Sequence, residues 1–283
     1  AWALDPGKPF RDYVSDSWDM NDGLPQTSVL AITQDSRGYL WFGTQGGLAR
    51  FDGVRFIRYS QRDAAVLAGP VQALQADAAG RTWIGTSQGL AVHANGRLRT
   101  FDTAGGAALP SSVWAFAATT DGMLVGTPEG VYAAADGRLT LRHPLTGPAL
   151  SLLQRDDGLW VGSQGQVFRI GSGGTQPLAL PDDAHDARVV ALAHAHGQLW
   201  AGTSLGLLRL EGGRWVRDAG DDGLGGTPVE ALHADRAGNL WVATPHALHR
   251  IADGQPRERI EGTPGGIAPR ALHEDRDGSL WIG

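Results

Sequence analysis

DSRGYLWFGTQGGLARFDGVRFIRY, Asp35 to Tyr59, decides the fold, because the chain keeps rewriting it. The stretch recurs as DAAGRTWIGTSQGLAVHANGRLRTF from Asp77 and more loosely as TTDGMLVGTPEGVYAAADGRLTLRH from Thr119. Then come DDGLWVGSQGQVFRI from Asp156, HAHGQLWAGTSLGLLRLEGGRW from His194 and DRAGNLWVATPHALHRIADGQ from Asp235. A seventh copy, DRDGSLWIG, begins at Asp275 and reaches the last residue. The anchors are Trp41, Trp83, Leu124 (in place of Trp), Trp160, Trp200, Trp241 and Trp281, spaced 42, 41, 36, 40, 41 and 40 residues apart. A period near 40 residues with this texture is that of four-stranded propeller blades. The expectation is an all-β, seven-bladed propeller of antiparallel four-stranded blades, the last one truncated in this chain.

Within the first copy, residues 28–34, 39–44, 47–51 and 54–59 read as four strands, because apolar residues alternate there with polar or small ones. Asp35-Ser36-Arg37-Gly38 and Asp52-Gly53 supply the short turns. Blades are expected to start near residues 28, 70, 112, 149, 188, 228 and 268, and all 283 residues to form one domain. Residues 10–18 (FRDYVSDSW) resemble the outer strand of a blade and are expected to close the ring. With no third strand in the seventh copy, the natural protein is expected to continue past Gly283.

The tryptophans and the mid-strand glycines Gly43, Gly85, Gly126, Gly162 and Gly202 have a structural reading. A glycine weakens a strand unless another chain segment packs close to it, and here that segment is the next blade. Burying one indole removes about 150–250 Å² from water, roughly 4–6 kcal/mol before opposing terms. Trp41, Trp83, Trp160, Trp200, Trp241 and Trp281 are therefore assigned to inter-blade core.

Composition removes several classes of function. Ten Trp and 41 Gly fit many short strands and tight turns. The net charge is -6 and no basic run or basic face is present, which argues against nucleic acid as a partner. No cysteine is present, so disulfides, thiolate metal sites and cysteine nucleophiles are excluded. No apolar run approaches the ~20 residues of a membrane span, so any membrane attachment would come from segments outside this chain. Ala1-Trp2-Ala3 is read as a remnant of signal cleavage.

Asp22 to Phe56, DGLPQTSVLAITQDSRGYLWFGTQGGLARFDGVRF, resembles the two-component regulator propeller repeat, and FRDYVSDSW upstream resembles the start of the mature sensor in proteobacterial members. The pattern extends from about residue 10 to 283. The resemblance implies a periplasmic ligand-sensing region of an inner-membrane protein. In such proteins one or two propellers are followed by an immunoglobulin-like domain, a transmembrane helix and a histidine kinase or GGDEF diguanylate cyclase. It also implies a homodimer through the full-length protein. No GGDEF run or kinase phosphate-binding motif occurs in this chain.

No catalytic constellation is read from the sequence, and no cofactor is expected. His194 and His196 share a turn, and His233 and His273 share a repeat column, but no spacing fixes a third ligand, so these read as solvated histidines. Asp275-Arg276-Asp277-Gly278 begins like a calcium loop but lacks the downstream glutamate and reads as a hairpin turn. The functional signal is a column where the copies disagree: Leu30, Gln72, Trp114, Ser151, Val190, Glu230 and Arg270. At the start of the inner strand this column is expected to ring the channel mouth. Gln72, Trp114, Glu230 and Arg270 there suit a polar ligand with an aromatic or sugar face. The turns between second and third strands are expected to open on the same face, adding Gln45, Gln88, Glu129, Gln164 and His246. The partner is then a small molecule or glycan fragment. A protein-interaction platform is the alternative, and a secreted polysaccharide-active enzyme a more distant one.

Overall fold

The computed structural model describes residues 13–103, 111–120, 122–135, 138–218, 220, 223–254, 257–261 and 269–283. Its strands form six complete antiparallel blades and one separate two-stranded hairpin. The inner strands of the six are Val29–Gln34, Val71–Ala76, Ala115–Thr119, Ser151–Arg155, Val189–Ala195 and Ala231–Ala234. In each blade four strands follow one another in chain order. The third blade gains a fifth strand, Asp102–Thr103, which pairs in parallel with Arg138–Leu139.

The fold class is thus an all-β propeller, with a correction to the count: six blades, not seven. The seventh copy supplies only Leu272–Glu274 and Leu280–Ile282, a hairpin and not a blade. The reason is that DRDGSLWIG encodes one turn and one strand, and a four-stranded sheet needs two more strands. Residues 10–12 of the expected closing strand lie outside the described residues, and residues 13–18 run without strand pairing. The start near residue 268 also lies outside them.

The chain divides into two compact units, Trp18–Gln154 and Arg155–Gly283, the latter with residues 13–17. The N-terminal unit holds the first three blades and most of the fourth inner strand. The C-terminal unit holds the remaining strands of the fourth blade, the fifth and sixth blades and the hairpin.

In the N-terminal unit the core lies between neighbouring sheets. Trp41 packs with Val71, Leu74 and Ile84 of the second blade, and Trp83 with Val113, Phe116 and Met123 of the third. In the C-terminal unit Trp200 packs with Val229, Leu240 and Val242 of the sixth. The mid-strand glycines have no room for a side chain for the same reason. A Cβ on Gly43 would meet Val71 at 2.6 Å, one on Gly85 would meet Val113 at 2.6 Å, and one on Gly202 would meet Val229 at 2.5 Å. These distances are shorter than real Cβ contacts, so the next sheet's valine excludes any larger residue. The Asp-x-x-Gly turns are built as read, with Gly38 at φ +92° and Gly238 at φ +88°, a region glycine enters without strain.

Candidate functional site

The variable column lies at or just before the start of the inner strand. In the first, second and fifth blades the pairing register slips between Val29 and Ala31, Val71 and Ala73, and Val189 and Ala191. Leu30, Gln72 and Val190 are therefore β-bulge residues, which bend the strand and re-aim the side chain. In the third and sixth blades Trp114 and Glu230 stand just before the inner strand. Their N–H groups donate to Gly126 (3.0 Å) and Ala243 (2.8 Å). Arg270 holds the same place before the hairpin, donating to the carbonyl of Gly283 (2.5 Å).

Before Trp114, Val190 and Glu230 the preceding residue locks the sheet to its predecessor, and in the fourth blade Ala149, two residues before Ser151, does the same. Val113 donates to Thr86 and Ala149 to Thr127 in one unit, and Val189 to Ser163 and Val229 to Thr203 in the other, all at 2.9 Å. Trp114 and Glu230 thus stand on a backbone held from two sides. Gln72, Trp114 and Glu230 are half-buried, Arg270 is exposed and Ser151 is buried. The Gln72 carbonyl oxygen (Oε1) is buried and has no hydrogen-bond partner. A buried acceptor left unpaired costs free energy that a donor from a ligand or water would recover.

The turns between second and third strands lie beside this place. Gln45 donates its N–H to Ser28 (3.3 Å), Ser87 to Pro70 (3.1 Å) and Ser204 to Arg188 (3.0 Å). A threonine shapes these turns: Thr44 Oγ1 donates to Gly47 (2.9 Å), Thr127 Oγ1 to Gly130 (2.9 Å) and Thr203 Oγ1 to Gly206 (2.7 Å). At the tips Gln45, Gln88, Glu129, Gln164 and His246 are all exposed. In the N-terminal unit Gln72 and Trp114 stand at inner-strand starts, and Gln45, Gln88 and Glu129 in turns between second and third strands. In the C-terminal unit Glu230 and Arg270 stand before inner strands, and Gln164 and His246 in turns between second and third strands. Two residues escaped the sequence reading. Leu205 occupies the corresponding tip of the fifth blade, 39% exposed, and Arg188 stands beside it. The motif TSLG, aligned with TQGG and TSQG, marks Leu205.

The tryptophans also have a partner that composition alone does not reveal. The indole N–H of Trp41 donates to Asp35 Oδ2 (2.9 Å), Trp83 to Asp77 (2.8 Å), Trp241 to Asp235 (2.8 Å) and Trp281 to Asp275 (2.7 Å). The same carboxylate takes backbone N–H groups of its turn, as Asp35 does from Arg37 and Tyr39. An Asp six residues before each of these Trp was the available signal. Asp275 is used this way, accepting from Asp277, Ser279 and Trp281, which is the turn reading of DRDG.

The histidines divide. His194 is exposed, and His196 Nε2 lies 3.1 Å from the Ile251 carbonyl. His233 and His273 are not solvated loop residues. They are half-buried with ring centroids 6.4 Å apart, and burial pushes His273 down to about 4 and His233 in the same direction. Among the described residues no three His, Asp or Glu gather as metal ligands.

These features define a class, a repeat protein of propeller blades with clamped inner strands and variable tips. Comparison with known proteins sharpens it. Residues 23–46 match the family described as two component regulator propeller. A 48-residue segment, 17% of this chain and 4% of the relative, is 48% identical to histidine kinase P4 of Formosa agariphila. Among solved structures, the fold is similar to the extracellular domain assigned to the hybrid two component system BT3049 of B. thetaiotaomicron. That likeness has a TM-score of 0.79 at 20% identity and covers 95% of this chain and 40% of that one. The corresponding domain of BT4673 gives 0.77 at 19% identity over 92% and 37%. Virginiamycin B lyase from Staphylococcus aureus gives 0.72 at 14% over 91% and 92%. The chain therefore spans well under half of the first two proteins, and all three likenesses concern the fold.

Proposed function

We propose that this chain is the extracytoplasmic ligand-binding region of a transmembrane signalling protein. Its output domain, a histidine kinase or diguanylate cyclase, lies outside these residues. The observation that carries the reading is the backbone place of the variable column. In the third, fifth and sixth copies the chain keeps the same clamp and changes the side chain it presents. Constant backbone with varying polar side chains is how a repeat scaffold presents a binding surface. The two-component propeller match and the sensor ectodomains of similar fold support the same reading.

The ligand is a small polar molecule or glycan fragment. Gln72 and Trp114 offer an amide beside an indole face, which suits a sugar or an aromatic ring. Glu230 and Arg270 offer an acid and a guanidinium, which suit an amine or hydroxyl and a carboxylate. Binding signals only if it favours one arrangement of the attached domains over another. The chain itself is read as non-enzymatic.

The test is a thermal-shift screen of the chain against sugars, amino acids and aromatic acids. Hits are then titrated against Gln72→Ala, Trp114→Ala, Glu230→Ala and Arg270→Ala. Loss of affinity of about tenfold or more in at least one variant is expected. Undiminished affinity in all four would remove the site.

A further inference from the structure

We propose that Arg50 and His93 form a second binding site, for a small anion, between the first and second blades of the N-terminal unit. It takes a halide ion or the carboxylate group of a small acid. It shares no residue with the variable column and stands or falls without it.

Four arginines occupy one register position, each directly across from the anchor tryptophan: Arg50 opposite Trp41, Arg169 opposite Trp160, Arg209 opposite Trp200 and Arg250 opposite Trp241. Three of them have an acid. Arg169 lies 3.5 Å from Asp157, Arg209 lies 2.7 Å from Glu211, and Arg250 lies 2.8 Å from Glu258. Arg50 makes no ion pair among the described residues, and its Nε–H is buried without an acceptor. Its guanidinium lies over the Tyr39 ring at 4.4 Å, which attracts the cation but leaves the N–H edge unpaired.

A second unpaired group stands nearby. His93, on the third strand of the second blade, is 7% exposed, and its Nε2 is buried without a partner. Its ring sits 4.7 Å from Trp41 and 6.1 Å from Tyr59. Burial is the main cause that lowers the pKa of His93, and the nearby Arg50 charge acts in the same direction. Asp35 is the acid that acts on both His93 and Tyr59, but its oxygens already accept from Arg37, Tyr39 and the Trp41 indole. What results is a half-buried cation and a buried ring nitrogen, walled by Tyr39, Trp41 and Tyr59. A buried N–H without an acceptor is costly, and an anion between these two groups removes that cost.

Two measurements on the intact chain decide it. Crystals soaked in sodium bromide are expected to show an anomalous peak within hydrogen-bond reach of Arg50 Nε and His93 Nε2. Titration with sodium acetate at constant ionic strength, followed by the ¹⁵N shifts of His93, is expected to saturate and to raise its pKa. A bromide peak alone identifies a halide site and an acetate response alone a carboxylate site. Arg50→Gln is expected to weaken whichever response is seen by about tenfold or more, and His93→Phe to weaken the bromide peak likewise. Ordered water only at that place in the wild-type chain, with no saturable His93 response, overturns the proposal whatever the variants do.

Discussion

The sixth blade and the seventh hairpin are built from nearly the same nine residues, DRAGNLWVA from Asp235 and DRDGSLWIG from Asp275, yet their side chains meet different surroundings. The turns agree in detail. Asp235 and Asp275 each accept from a backbone N–H four residues on (2.7 and 2.9 Å) and from the indole six residues on (2.8 and 2.7 Å). Burial does not agree. Leu240, Trp241 and Val242 are fully buried, whereas Leu280, Trp281 and Ile282 are half-exposed. The difference is the strand Ala247–Ile251, which pairs with Leu240–Ala243 and, among the described residues, has no counterpart beside the hairpin. The carboxylate-to-indole turn is therefore local chemistry, while the dry environment of the tryptophan is supplied by the third strand and the neighbouring sheet.

The largest test of that division is truncation of the two indoles. Trp241→Ala should cost about 3–5 kcal/mol in denaturant unfolding, the range for a fully buried aromatic. Trp281→Ala should cost less than half as much. Equal losses would mean that the hairpin tryptophan is as enclosed as its twin, and the comparison would break. Next comes the acid. Asp235→Ala strands a backbone N–H, the Asn239 amide and the Trp241 indole, all buried, and should cost about 2–3 kcal/mol. Asp275→Ala leaves groups that water reaches more easily and should cost visibly less. A reversed order would place the strain of the turn, not desolvation, in control.

The same contrast explains what was legible in the sequence. The period of the anchor tryptophans, the Asp-x-x-Gly turns and the mid-strand glycines carry the blade because each is a local or nearest-neighbour constraint. The first blade's strands lie within two residues of their expected ends. The blade count went wrong because the seventh copy, legible as a piece without a third strand, was counted as a truncated blade, whereas its two strands form a separate hairpin. The variable column was visible as disagreement among Leu30, Gln72, Trp114 and Glu230, but the bulge beneath it was not, since a register slip is a property of the pair of strands. The Arg50 and His93 juxtaposition was hidden for a plainer reason. It joins two blades, and only the missing acid distinguishes Arg50 from Arg169, Arg209 and Arg250.

A pH series separates the twins more finely. His233 stands across from Trp241 and His273 across from Trp281. Burial is the first cause of both lowered pKa values. Arg236 pushes both the same way, His233 adds to the effect on His273, and Asp235 and Asp275 oppose it. A histidine held neutral by the fold carries no penalty above its ordinary value of 6.5. Below that, the unfolded chain binds a proton that the folded chain refuses, so stability falls as the pH drops toward the folded value of about 4 for His273. The urea midpoint should therefore decline between pH 6.5 and 4, and His273→Leu should flatten the decline. An unaltered slope in that variant would assign the pH response elsewhere.

The smallest expected effect is the sharpest check on the shared turn. Asp277 stands where the sixth blade has Ala237, and its carboxylate is exposed while its N–H serves Asp275 Oδ1 (3.0 Å). If the turn is held by Asp275 and the backbone alone, Asp277→Ala should change stability by no more than about 0.5 kcal/mol, as surface substitutions away from special features do. The melting temperature should also be the same with calcium and with a chelator, in the wild-type chain and in the variant. A calcium-dependent rise that Asp277→Ala abolishes would show that the second acid does more than decorate the turn. The hairpin would then differ from its twin in chemistry as well as in burial.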